Sequence, residues 1–585
     1  AEDSSGTISC MEWGLDHIGP VWGTRAFPPR SGQEHLGLGS VSSDRILTVL
    51  SPGINVLSIH PRYWSFYSWV LDDFWSTDLP RTHKSFRDFY RPREALFSMA
   101  CHVCDAPEHI SLVSNIVGSR RVSPYAEATE FDPQFDYIKE PLGGYGLYYR
   151  SVMETVDVLR IATPSNGLPF DVPTPTGQAL AAAFRSAVGD TQVGVQLRSN
   201  DTSSLVSREA LIEFARKGCL CQLRVADAHD LLLLREVFLR SGKPAEVKSR
   251  SETLRLFLDI GHSHQNEAMG QAEFRQLIYF RELDDTQYVP QQDLIEVARR
   301  WRIYQGREFF AYVFNRLLRW VSRRGLRESD NGLTMVPVGQ FWELVAQALD
   351  STVNDDSLGL TLPKVEASTK ASDLVEYLIH AVEVYGTADE VWSRHERTDE
   401  HALYLACADG DVDDGQTLVC LLAMLLLLRQ RFGLPERYRE YSREQDLLAA
   451  GGNLRIGMAG FMYQLNQRML KDPSLFDLVK WLIEDFVIIQ HERVATAKLP
   501  DDTFRLRRVG SALQFFDQEV PAGFLDSRFN ALSTLVHELG WIGSFRESNR
   551  HLTVSGEKLL TEGVAISNAL EHAAAPYVAG RESLS

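Results

Sequence analysis

Near its C-terminal end the chain reads Phe529-Asn-Ala-Leu-Ser-Thr-Leu-Val-His-Glu-Leu-Gly540, then Trp541-Ile-Gly-Ser-Phe545, Arg546-Glu-Ser-Asn-Arg550 and His551-Leu-Thr-Val-Ser-Gly-Glu-Lys-Leu-Leu560. The first block has apolar residues at helical spacing and stops on glycine, a common C-terminal signal. A short apolar strand, a polar turn, a second strand and a new helix start follow. Ser555, directly followed by Gly556, is placed to cap that last helix. No other stretch restricts the local fold so narrowly.

A second stretch has the same order. Tyr145-Gly-Leu-Tyr-Tyr-Arg-Ser-Val-Met-Glu-Thr-Val-Asp-Val158 predicts a helix, Leu159-Arg-Ile-Ala162 a strand, Pro164-Ser-Asn-Gly167 a turn and Phe170-Asp-Val172 a strand. Pro175-Thr-Gly-Gln-Ala-Leu-Ala-Ala-Ala-Phe184 then opens another helix. Both segments resemble winged-helix (helix-turn-helix-like) domains. The resemblance implies a helix entering the major groove, with basic residues of the wing and helix start gripping the flanking phosphates. It nominates Arg528, Arg546, Asn549 and Arg550 in the C-terminal copy, and Tyr148, Tyr149 and Arg150 in the first. Glu538 and Glu154 weaken both helices for that role. Winged helices also serve as protein-interaction modules, so duplex DNA and protein partners both stand as expectations.

The whole chain, 585 residues, exceeds what one hydrophobic core supports. The expected fold class is mainly α: a multi-domain helical body with two winged-helix-like α+β modules. The expected boundaries are 1–90 (a loop-rich segment and an aromatic helix), 91–190 (winged-helix-like), 191–400 (a helical middle), 401–472 (helical) and 473–585 (winged-helix-like). Within the first, Arg62-Tyr-Trp-Ser-Phe-Tyr-Ser-Trp-Val-Leu-Asp-Asp-Phe-Trp75 is a helix whose aromatic stripe reads as core, because only Arg62 could meet a phosphate. Phe504, Leu506, Leu513 and Phe515 alternate around Gly510 and predict a hairpin.

A net charge of −18 argues against coating of the whole surface by nucleic acid. One helical region departs from it: Arg299, Arg300, Arg302, Arg307, Arg316, Arg319, Arg323, Arg324 and Arg327 enclose a single acid, Glu308. Arg316, Arg319, Arg323 and Arg327 line one helical face, a candidate track for phosphates or for acidic neighbours. The apolar run Leu418–Leu428 is shorter than a membrane span and reads as a buried helix. An acidic, polar N-terminal stretch and seven scattered cysteines point to the cytoplasm, with no membrane contact expected.

Catalytic signals are thin. Cys101-His-Val-Cys104 with His109, and Cys219-Leu-Cys221, can supply a zinc site only if the fold unites them; Cys-x-Cys is a poor zinc spacing, so buried free thiols are expected. Asp409, Asp411 and Asp413 imitate a calcium loop, but Asp414 and Cys420 stand where Gly and Glu are needed. Glu246-Val-Lys248 reads as a surface loop, and Gly143-Gly-Tyr-Gly146 lacks the Lys-Ser/Thr of a phosphate loop. No catalytic residue, metal or cofactor is therefore expected. The expected function is a non-catalytic DNA-interacting or scaffold subunit of a prokaryotic multi-protein complex, as in anti-phage defence or genome maintenance, with protein partners or copies of itself. The alternative is a divergent metal-dependent nuclease or hydrolase using Asp259, His262, His264 and Glu267.

Overall fold

The computed structural model describes residues 35–563 except 108, 110–115, 225–227, 329–333, 353–361, 383–385, 396–397, 409–413, 453, 517–519 and 521. The calcium-like aspartates Asp409, Asp411 and Asp413 lie outside the described residues. The chain is mainly helical with small antiparallel sheets. It divides into two compact units of interleaved segments: 1–47, 275–289 and 298–525 form one, and 48–274, 290–297 and 526–585 the other. The consecutive boundaries expected from sequence do not show this interleaving, because periodicity carries no information about which distant segments pack together.

In the unit built on 48–274, the aromatic helix forms over Arg62–Trp75 as its spacing predicts, with Pro61 at its N-cap. Phe66 stacks on Phe97 at 4.2 Å between centroids, and Trp64 sets its edge against Tyr149 and Phe238. Almost every side chain of this helix is buried, so the stripe is core on all sides. The neighbouring helix His83–Val103 is capped by Thr82, whose hydroxyl accepts from Ser85 N–H. It carries Glu94 into the interior. Glu94 accepts from the Tyr67 and Tyr137 hydroxyls and from Gly144 N–H at 3.0 Å. Burial pushes its carboxyl above the usual range despite these donors. A Cβ at Gly143, itself left-handed at φ 52°, would collide with Glu94 and Tyr90. Glycine at 143 permits this close approach. Glu246, expected in a loop, instead lies in the first turn of the helix Pro244–Ser263.

The other unit centres on the 34-residue helix Ile295–Glu328 and the apolar helix Asp414–Leu428. Leu418 through Leu428 are all buried. Among the described residues Gly415–Gly433 is long and apolar enough to cross a membrane, yet it is 94% buried inside the protein. The hairpin forms as read: Leu506–Val509 pairs with Ala512–Phe515 across Gly510, and Met335–Pro337 adds a third strand.

Candidate functional site

The two helix–hairpin–helix segments share more than element order. After the helices Arg150–Thr155 and Phe529–Glu538, a left-handed residue turns the chain: Asp157 at φ 52° and Gly540 at φ 70°. The next amide reaches back five residues, Val158 N–H to Met153 C=O (2.9 Å) and Trp541 N–H to Val536 C=O (3.1 Å). Antiparallel pairing follows in each: Leu159 with Pro173 and Arg160 with Val172 in the first, and a single bridge, Ile542 with Leu552, in the second. Thr174 and Thr553 then cap the next helix, accepting from Gly177 and Gly556 N–H at 3.2 and 3.1 Å. Each threonine hydroxyl also donates to the turn, to Asp157 C=O and to Gly540 C=O. A Cβ on Gly177 or Gly556 would overlap the carbonyl oxygen of Val158 or Trp541. Glycine is required there by this close approach, with the backbone in ordinary helical geometry.

The side chains nominated as DNA contacts scatter between surface and interior. Arg528 is buried and donates to the carbonyl and hydroxyl of Ser51, both at 3.0 Å. Arg550, 2% exposed, closes the C-terminus of the helix Pro244–Ser263. It donates to Gly261 C=O (3.0 Å), Glu267 C=O (2.6 Å) and His264 C=O, and its guanidinium lies over Phe545. Burial pulls it down to about 10. Tyr149 is buried within the aromatic core, and Arg150 is held by Asp171 through two hydrogen bonds of 2.5 and 2.8 Å. Arg528, Arg550 and Tyr149 thus face the interior, and half-buried Arg150 keeps two of its donors on Asp171. Tyr148 is half-buried, while Arg546 and Asn549 are exposed. The helix Phe529–Glu538 is itself buried on nearly all sides, with Asn530 exposed. His537 accepts from Arg224 at 2.9 Å through Nε2 and donates through Nδ1 to Ile542 C=O (3.2 Å). Burial first, and then Arg224, lower it to about 4.

On the arginine-rich helix, Arg299 pairs with Asp389, and Arg300 lies 3.5 Å from Asp446. Buried Arg302 and Arg307 donate to backbone carbonyls. Of the expected phosphate track, Arg316 is buried. Arg319 is half-buried, and Arg323 and Arg327 are exposed.

The cysteine pairs, expected to be unrelated buried thiols, converge. Cys104 is the C-cap of the helix His83–Val103, and Cys219 is the C-cap of Arg208–Gly218, which packs against it. A 3-10 turn, Leu220–Arg224, brings in Cys221. The ligand atoms of Cys104, His109, Cys219 and Cys221 all lie within 4.8 Å of one another. Cys104 Sγ is 3.7 Å from Cys221 Sγ, and Cys219 Sγ is 3.5 Å from His109 Nδ1. Cys101 is not one of the four. Hydrogen bonding from Cys219 and Cys221 draws the Cys104 thiol down, while Cys221 as donor and Cys219 by burial are pushed up. The backbone is fixed from outside: Arg62 donates to Cys219 C=O (2.7 Å) and sits 3.3 Å from Asp230, both buried.

No family model, no curated protein and no solved structure matches this chain.

Asp259, His262, His264 and Glu267 form no metal-capable group among the described residues, and Asp259 accepts from Gln291 N–H at 3.2 Å. A cavity of about 200 Å³ is lined by Asp73, Arg93 and Arg185, but those charges are matched. Arg185 binds Asp72 (2.7 Å) and Asp73 (2.6 Å), and Arg93 donates to the Phe89 and Leu197 carbonyls. The sequence names these residues as ligands only if the fold unites them, and spacing cannot decide that, because the pairs stand more than a hundred residues apart.

Proposed function

We propose that this chain is a non-catalytic scaffold subunit of a multi-protein complex, using its winged-helix-like segments for contacts with protein. The carrying observation is the contrast between the two turns. The turn over Thr163–Gly167 is exposed and carries no charged side chain. The turn that is basic has Arg550 committed to four carbonyls of its own unit, at positions 261, 264, 267 and 547. A wing grips phosphate with free cations; a neutral, exposed wing suits a protein surface better. The charge of −18 acts in the same direction by repelling a polyanion. A role inside a prokaryotic complex acting on DNA, such as anti-phage defence or genome maintenance, rests on analogy with other large, motif-poor subunits.

The test is purification of the tagged chain from its own host, followed by native mass measurement, beside a plasmid assay with Mg²⁺ or Mn²⁺. A complex of fixed stoichiometry without DNA cleavage is expected. A chain that is always alone, or sustained cleavage abolished by EDTA, overturns the reading. Contact with duplex DNA is the second reading, favoured by exposed Arg546, Asn549, Arg323 and Arg327.

A further inference from the structure

We propose that Cys104, His109, Cys219 and Cys221 form a closed, structural zinc site that ties together the ends of the helices His83–Val103 and Arg208–Gly218. Zinc holds thiolate at about 2.3 Å and imidazole at about 2.0–2.1 Å in a tetrahedron, which places two sulfurs about 3.8 Å apart and sulfur and nitrogen about 3.5 Å apart. Two of the six separations among the ligand atoms are 3.7 Å, Cys104 to Cys221, and 3.5 Å, Cys219 to His109, and all six are within 4.8 Å. The site is therefore already spaced for an ion. Three sulfurs and one imidazole nitrogen are a soft donor set that fits zinc and leaves no open position for a substrate.

Two other uses of these thiols fit less well. A disulfide joins two sulfurs at about 2.05 Å; it leaves the third cysteine and the imidazole unexplained. A reactive thiolate is favoured at a helix N-terminus or beside a cation. Cys104 and Cys219 instead stand at helix C-termini, where carbonyl dipoles favour positive charge. Donors are also arranged around the sulfurs as metal thiolates require. The Ala106 amide bonds the Cys104 sulfur, and Gln222 Nε2 donates to Cys221 Sγ at 3.2 Å. Arg62, from the central aromatic helix, fixes the Cys219 carbonyl, so the turn carrying Cys219 and Cys221 is held to the core independently of the ion. On the surface Arg216 and Asp105 pair at 2.6 Å across the same two chain segments. That exposed pair adds little by itself, but it keeps the two ligand-bearing ends in register.

The test uses the full-length chain, tag removed, by elemental analysis and by exchange with Co²⁺. About one zinc per chain is expected, surviving dialysis against EDTA. Cobalt should give the intense visible bands of a tetrahedral site and a thiolate-to-metal band in the near ultraviolet. Cys219→Ser and Cys221→Ser should abolish both signals, while Cys101→Ser and Cys407→Ser should keep them. If the ligand variants fail to fold, the wild-type cobalt spectrum and alkylation mapping decide. Cys104, Cys219 and Cys221 should resist iodoacetamide until a chelator is added under denaturing conditions. Wild-type protein that takes up neither zinc nor cobalt overturns the proposal. So does zinc retained in Cys219→Ser, or a weak octahedral cobalt spectrum.

Discussion

The two helix–hairpin–helix segments use the same backbone device and anchor it in opposite ways. In the first, Glu154 in the last helical turn is exposed and its carboxylate accepts from Ile161 N–H. In the second, the equivalent position is His537, buried, neutral and donating to Ile542 C=O. The first hairpin is closed from within by Asp171, which accepts from Arg150, from the Tyr145 hydroxyl (2.7 Å) and from Ala162 N–H (2.8 Å). Burial opposes its charge, but these donors together hold its carboxyl below the usual range. Its exposed turn is braced by bonds within itself: the Asn166 side chain bonds Thr163 N–H, Ile161 C=O and Leu168 N–H, and the Thr163 and Ser165 hydroxyls bond each other at 2.9 Å. The second hairpin has no internal anchor of this kind. Arg550 ties it to the helix Pro244–Ser263, and Phe545 fills the space beside Gly261. A conserved backbone geometry thus leaves the outer surface open to different uses. Both turns are exposed, but the second is tethered to its unit through buried Arg550 and the first is not.

Removing the anchors should separate the two segments most strongly. Asp171→Ala leaves the buried Tyr145 hydroxyl without its acceptor, and Arg550→Ala leaves four carbonyls without charged donors. Each should cost about 3–4 kcal/mol in urea unfolding. Asp171→Ala should also increase proteolysis at Thr163–Gly167 and leave Arg546–Arg550 untouched, and Arg550→Ala the reverse. Cleavage at both turns in either variant would mean that the hairpins are not independently anchored.

Between pH 6.5 and 4 acid should act on the second segment, because Asp171 in the first is held below its usual range and loses its charge only in stronger acid. The folded pKa of His537 is depressed from 6.5 to about 4. Its neutral form therefore contributes stability that is present above pH 6.5 and lost as pH falls through 4. The full span is worth about 3 kcal/mol. His537→Gln should flatten this part of the stability profile between pH 6.5 and 4. An unchanged profile would place the acid-sensitive group elsewhere, with His491, also lowered to about 4 by burial, as the first substitute.

The shared device should respond equally in both copies. Gly177→Ala and Gly556→Ala force a methyl against a backbone carbonyl and should each cost about 2 kcal/mol. Thr174→Ala and Thr553→Ala remove an N-cap and should cost about 1 kcal/mol each. A glycine variant that is tolerated in one copy and not in the other breaks the equivalence.

Much of this device is legible in sequence. Thr-x-x-Gly after a strand, Pro175 at a first helical position, Gly540 after an apolar helix and the alternation around Gly510 all specify local backbone. The aromatic helix Arg62–Trp75 is legible for the same reason, since its pattern is read within fourteen residues. What a charged side chain touches is not local. Arg550 reads as a free cation in its own polar turn, yet three of its four acceptors are carbonyls at positions 261, 264 and 267. Cys104 and Cys221 are separated by 117 residues and meet only because two helices pack side by side. Sequence spacing misleads there: Cys101 shares the familiar Cys-x-x-Cys pattern with Cys104 and lies beside Cys219, yet the four converging ligand atoms include His109 and not Cys101.

The smallest expected effect bears most directly on the division of roles between the two turns. Arg546→Glu should leave stability within about 0.5 kcal/mol of wild type, since its side chain is exposed. Duplex-DNA affinity of wild type and Arg546→Glu, titrated by fluorescence anisotropy from low to physiological salt, is the decisive measurement. Equal curves with equal salt slopes are the expected result. A uniform loss of affinity with a slope reduced by about one would show a phosphate contact at this turn, and would contradict a scaffold whose basic residues serve its own fold.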